Sequence, residues 1–150
     1  MRLSVFIVDT LSIQLMVDLQ KIYADYLSPA NLTEQVIQQQ LEAPSSRLYM
    51  TMFNERHIGA ATVTIDDKKA TLSQLTIRDL TRRRGVGKNL LAQIQTSLTS
   101  ENITQIQYNL NEVNKADLLT MHDFLLNSGY TVTGNIAIKN ISPAGIKKPH

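Results

Sequence analysis

Arg82, Arg83, Arg84 and Lys88 surround Gly85-Val86-Gly87, and four cations about a glycine pair suit the capture of a phosphate or pyrophosphate. Glycines lack Cβ atoms, so a ligand can come close to the backbone. An arginine run is more often a solvated face than a site, so the flanking elements decide. Downstream, Val86, Leu90, Leu91, Ile94 and Leu98 recur at helical spacing, and a helix is predicted to start near the glycines. Its first turn would add free N–H groups and about half a positive charge. Upstream, Ala70 and Leu72 alternate with polar neighbours before the apolar phase slips one place to Leu75 and Ile77. A slip of one inside a strand predicts a β-bulge, a device that re-aims backbone groups. Strand, basic glycine turn and helix start together form an anion cradle.

Two common phosphate motifs do not fit this loop. A P-loop would need Ser or Thr where Asn89 stands and glycine where Arg82 stands. A dinucleotide fingerprint would need a third glycine at the place of Leu90. Arg82-x-x-Gly85-x-Gly87 instead resembles the Q/R-x-x-G-x-G/A signature of the GNAT acyl-CoA-binding fold. That resemblance implies acetyl-CoA or CoA as cofactor. Leu75, Thr76 and Ile77 would then meet the pantetheine arm, and Thr81, Arg82, Arg83, Arg84, Gly85, Val86, Gly87 and Lys88 the phosphate end.

Composition narrows the classes. With 150 residues, 43% of them hydrophobic, the chain suffices for one domain with a substantial core, expected over 1–141 with a frayed tail over 142–150. The absence of cysteine removes disulfides, thiol nucleophiles and sulfur metal sites. His57, His122 and His150 have no ligand spacing, so no metal site is expected. No apolar run approaches the roughly 20 residues of a membrane span, and the first residues do not read as a signal peptide. A cytoplasmic protein is expected, with no membrane partner. The formal charge of +2 excludes a generally basic nucleic-acid binder, and the basicity is local to Arg78–Lys88. A polyanion reading of that run lacks the interleaved aromatic residues that single-strand binding uses.

The elements that must position the loop follow from periodicity. Leu3, Val5 and Ile7 read as a strand. Asp9 and Thr10 are expected to cap a helix bearing Leu15, Met16, Leu19, Ile22, Tyr23 and Tyr26. Asn31 with Glu34 resembles a capping box for a helix bearing Leu32, Val36, Ile37 and Leu41. Leu48–Phe53 and Ile58–Ile65, joined by 54–57, form an antiparallel meander with the bulged strand. Ile103, Ile106, Tyr108 and Leu110 read as a fifth strand. A fourth helix carries Leu118, Met121, Leu125 and Leu126 and closes at Ser128-Gly129, and Gly134-Asn135 turns between two last strands. The order β-α-α-β-β-β-α-β-α-β-β is similar to that of a GNAT domain, an α/β (α+β) fold whose mixed, mostly antiparallel sheet is flanked by helices.

Amine acetylation needs a base for the ammonium proton and an acid for the departing thiolate. The resemblance puts a carboxylate on the fourth or fifth strand and a tyrosine four residues before Gly129. Here those places hold Ser73 and Gln74, and Leu125 beside Phe124, so no catalytic residue is assigned. Glu112 and Tyr108 are the nearest substitutes for an active N-acetyltransferase, the alternative reading. Leu19-Gln20-Lys21-Ile22-Tyr23 with Tyr26, Arg47-x-Tyr49 leading to Phe53-Asn54-Glu55-Arg56, and Arg78-x-x-Thr81-Arg82-Arg83-Arg84-Gly85-Val86-Gly87 together resemble the GNAT-like PanZ/PanM family of aspartate 1-decarboxylase maturation factors. Membership implies binding of the decarboxylase precursor (PanD), promotion of its self-cleavage to the pyruvoyl form, and a link from CoA level to pantothenate synthesis. Asn54 and Arg82 would be partner contacts. Met52 stands where the family carries an arginine, and the 27–46 segment is longer than in the family. Self-association is not predicted.

Overall fold

The strand Arg56–Asp66 keeps six consecutive residues, Ile58 to Val63, buried. A strand with both faces covered belongs in the middle of a sheet that carries helices on each side. The computed structural model, which describes residues 3–24, 28–53, 56–77 and 85–141, has this architecture. Its strands are β1 (Leu3–Ile7), β2 (Ser46–Phe53), β3 (Arg56–Asp66), β4 (Lys69–Ile77), β5 (Gln105–Asn109), β6 (Thr131–Thr133) and β7 (Ile136–Asn140). Its α-helices are α1 (Ile13–Ile22), α2 (Glu34–Glu42), α3 (Val86–Thr99) and α4 (Leu118–Asn127). The strands form one sheet in the order β1-β2-β3-β4-β5-β7-β6. Only the β4–β5 pair is parallel, and α3 is the crossover that such a pair requires. The element order is the one expected from periodicity.

Alternation along the strands sorts side chains into two cores. Leu48, Met50 and Ala60 pack with Leu15, Leu19 and Ile22 of α1 and Ile37 of α2. Tyr49, Ala61, Val63, Ala70, Leu72 and Leu75 pack with Leu90, Leu91, Ile94 and Leu98 of α3 and Leu125 of α4. Leu90, Ile94 and Leu98 are fully buried, each stabilising the fold by roughly 1.5–3 kcal/mol relative to exposure.

The starts of α1 and α2 and several strand ends differ from expectation: β2 begins at Ser46 rather than Leu48, and β5 leaves out Ile103 and Leu110, the latter because it starts a 3-10 turn. Ser12, not Asp9 or Thr10, caps α1, its hydroxyl accepting from the Leu15 N–H at 3.1 Å. Thr33, not Asn31, caps α2 and accepts from the Val36 N–H at 3.2 Å. In both cases a hydroxyl two or three positions nearer the first apolar turn has the shorter reach to a free amide. β3 begins at Arg56 rather than Ile58, because Arg56 and His57 pair with Phe53 and Met52. On α4 only Leu125 is buried; Leu118 and Leu126 are substantially exposed, and Leu119 is 79% exposed. No described helix is long and apolar enough to cross a membrane.

Candidate functional site

The predicted bulge lies where the apolar phase slips. On β3, Ala60 pairs with Thr76 and Thr62 with Ser73, so Ala61 faces the two residues Gln74 and Leu75. Gln74 has φ of 54°, a conformation that a non-glycine residue adopts only when its surroundings hold it. Three elements do so. The Tyr23 hydroxyl, at the end of α1, donates to the Gln74 carbonyl at 2.7 Å. Gln40 of α2 donates to Thr62, and Thr62 donates to the Gln74 side-chain oxygen, at 2.9 and 3.2 Å. The Gln74 N–H donates to Glu112 in the short 3-10 turn after β5, at 3.0 Å.

Beyond the bulge β4 leaves β5. The parallel ladder stops at Leu72–Tyr108, whereas β4 continues to Ile77. Leu75 and Val86 are buried, so these two site candidates can offer a ligand only their backbone. The Thr76 hydroxyl oxygen is buried with no hydrogen-bond partner among the described residues. A buried polar atom left unsatisfied is costly, and such an atom on a parted strand suits a ligand that brings its own donor.

Across from this edge, α3 begins at Gly85, whose φ of 70° is left-handed and favours glycine. Asn89 makes the first helical bond, donating to the Gly85 carbonyl at 3.0 Å. The N–H groups of Val86, Gly87 and Lys88 therefore have no acceptor within the helix, and they point out of its N-terminus. Among the described residues, no atom lies within 4 Å of where a Gly85 Cβ would be. Gly87 has a different use from the one expected: Phe124 of α4 fills the space above it. Lys88 is exposed in the first turn and borders a groove of about 370 Å³ that extends past Ala92 and Gln95 to Tyr130 and Lys139. Thr81, Arg82, Arg83, Arg84 and Asn54 lie outside the described residues.

The two substitutes for proton transfer are both drawn onto the bulge. Tyr108 is fully buried, and its hydroxyl accepts from the Leu75 N–H at 3.2 Å. Glu112 is exposed as a residue, but its carboxyl end turns inward. Burial there pushes its pKa above the ordinary value, outweighing the hydrogen bonds from the Gln74 N–H and Tyr108. On the α1/α2 side of the bulge is a cavity of about 240 Å³ between Tyr23, Ile37, Gln40, Thr62 and Gln74, and none of its lining residues is charged. Leu125, at the place of the expected acid, is fully buried. No cluster of metal-ligating side chains occurs among the described residues.

Periodicity gave no sign of several supports. Tyr23 reads in the sequence only as an apolar-face residue, yet its hydroxyl reaches β4. Arg47 and Tyr49 tie β2 to the end of α3, Arg47 through Glu101 and Tyr49 through Ser97 at 2.8 Å. Asp18 and His57 form a buried pair at 2.6 Å between α1 and β3.

Comparison with known proteins places this arrangement. The family described as "Acetyltransferase (GNAT) domain, PanZ" matches residues 2–137. The PanD regulatory factor of Escherichia coli K12 is 37% identical over 94 residues, 63% of this chain and 67% of that protein. The PanD regulatory factor of Salmonella typhimurium LT2 is 32% identical over the same extent. Among solved structures, the putative N-acetyltransferase YhhK from E. coli, bound to coenzyme A, superposes with a TM-score of 0.76 at 28% identity, covering 93% of this chain and 99% of that one. An aminoglycoside 6′-N-acetyltransferase complexed with coenzyme A superposes with a TM-score of 0.74 at 14% identity over the full length of both chains, a likeness of fold alone. The bulged strand, the glycine-led helix and these matches agree: the chain belongs to the PanZ family of GNAT domains.

Proposed function

We propose that this chain binds CoA or acetyl-CoA along β4 and over the start of α3. In that state it docks on the aspartate 1-decarboxylase precursor and promotes its self-cleavage, so that CoA level feeds back on pantothenate synthesis. The observation that carries the cofactor reading is the departure of β4 from β5 after Leu72, on the strand that precedes in sequence a helix whose first amides have no helical acceptor. A pantetheine arm carries two amides and can pair with a strand as a peptide does. Thr76, with its orphaned hydroxyl, and the Ile77 backbone would meet that arm. The Gly85–Lys88 amides, Lys88, and the loop residues Thr81 to Arg84 would take the phosphates. The partner reading is supported by the two relatives named as PanD regulatory factors, with Asn54 and Arg82 as contacts.

Self-cleavage before a serine requires the hydroxyl to be held against the preceding carbonyl, a strained backbone state. A partner that prefers that conformer raises its population by differential affinity and needs no chemistry of its own. The cofactor makes docking conditional if it orders the basic loop that forms part of the docking face. The test is incubation of purified precursor with this chain, with and without acetyl-CoA, reading cleavage by intact mass. Acceleration only with both present is expected; a precursor that cleaves at its unassisted rate contradicts the reading.

One observation favours a second reading, an N-acetyltransferase with a displaced base. Glu112 is a carboxyl of raised pKa hydrogen-bonded to Tyr108 beside the bulge, an environment that general bases share. Steady thiol release from acetyl-CoA with a panel of amines, abolished in Glu112→Gln, would establish it.

A further inference from the structure

The two residues of the bulge present consecutive N–H groups to side chains rather than to a neighbouring strand. Gln74 donates to the Glu112 carboxyl at 3.0 Å, and Leu75 donates to the Tyr108 hydroxyl at 3.2 Å. The Tyr108 hydroxyl donates in turn to Glu112, which closes a ring at the point where β4 leaves β5. Adjacent backbone amides aimed to one side of a bulge are the donor arrangement that binds anions and polarises carbonyl oxygens. Here the chain fills that arrangement with its own carboxylate. Glu112 reaches it from a three-residue turn, Leu110–Glu112, and the residue is otherwise exposed, so its side chain can leave without repacking the core.

We propose that Glu112 occupies the position of the acyl oxygen in the cofactor site and thereby sets the choice between a free and an acylated thiol. The inference rests on the cofactor reading above, with the thiol end of the pantetheine arm at the bulge. A hydrogen bond from an amide to a carboxylate is stronger than one to a neutral carbonyl. With Glu112 seated, an acyl oxygen finds the Gln74 amide taken and gains nothing from it. Glu112 is a positioning residue, acting on the ligand through the amide it holds.

Calorimetric titration of the full chain with CoA and with acetyl-CoA tests this, for the wild type, Glu112→Ala and Glu112→Gln. The ratio of acetyl-CoA affinity to CoA affinity should rise about tenfold in Glu112→Ala, the worth of one recovered hydrogen bond. Glu112→Gln keeps a neutral acceptor, so its ratio should rise less. A generalised loss of structure would weaken both ligands together and leave the ratio unmoved. If Glu112→Ala does not fold, judged by circular dichroism, the Gln variant decides, and a ratio within twofold of wild type overturns the proposal. Wild-type binding of both ligands with no change of ratio in either variant removes this inference alone. Wild-type binding of neither removes the cofactor reading and this inference with it.

Discussion

The ring of Phe124 rests on Gly87, its Cζ only 3.0 Å from where a Cβ on that glycine would lie. The contact sets how closely α4 packs against the first turn of α3, and so how the N-terminal amides of that helix are held. Gly87→Ala should destabilise the fold by about 1–3 kcal/mol through overpacking. Phe124→Leu should recover part of that loss in the double variant, an interaction measurable by urea denaturation. Gly85→Ala should cost about 1 kcal/mol for a different reason, its left-handed φ. Additive losses at 87 and 124 would refute the packing account.

Asp18 and His57 join α1 to the start of β3, with their side chains 12% and 14% exposed. Gln14 also donates to Asp18 at 3.0 Å, and the Phe6 ring lies 5.8 Å from the imidazole. Removing Asp18 takes this partner from His57, and removing His57 leaves one buried Asp18 oxygen without its bond, so Asp18→Ala or His57→Ala should each cost roughly 1–3 kcal/mol. The double variant should cost much less than the sum. Urea midpoints for the four proteins of the cycle give the coupling.

Ser12→Ala should lower stability by about 1 kcal/mol, the usual loss for a hydroxyl cap. Asp9→Ala and Thr10→Ala should each stay within about 0.5 kcal/mol of wild type, as surface changes do. Thermal melts of the three variants distinguish the observed cap from the one the sequence suggested.

Glu112 gives the fold a pH dependence of definite sign. Its folded pKa is raised, chiefly by burial, so the native state holds this proton more tightly than the unfolded chain. The stability it contributes is fully present below the unfolded value of 4.5 and is lost as pH rises through the folded one. Glu112→Gln cannot titrate there. Its stability relative to wild type should therefore move in the variant's favour between about pH 4 and pH 7. Denaturation at both pH values checks this, and a difference that stays constant or moves the other way contradicts it.

The bulge was legible because side-chain alternation has a period of two, and the step from Leu72 to Leu75 breaks it visibly. Helix α3 was legible because five apolar residues at helical spacing follow a glycine that its N-terminus needs. The caps were harder to place. Asp9, Thr10, Ser12, Asn31 and Thr33 are all capping types, and only the local backbone decides which of them meets a free amide. Tyr23 and Asp18 were hidden for another reason. Each lies on a helix face that periodicity reads as packing or solvent, while its partner, Gln74 or His57, lies 51 or 39 residues away. Gly87 was read as room for a ligand, because nothing local announces that Phe124 comes back to cover it. Leu118 and Leu126 fit the helical spacing of α4 as well as buried Leu125 does and are nonetheless exposed, so periodicity could not tell them apart.

The account stands most directly on where CoA binds, and a titration of the isotope-labelled chain with CoA, followed by amide NMR, reads that place. Saturable shifts should concentrate on Thr76, Ile77 and Gly85–Lys88, with small effects at β1 and at the β6–β7 turn. Absence of saturable shifts, or shifts centred away from the β4–α3 junction, would contradict it.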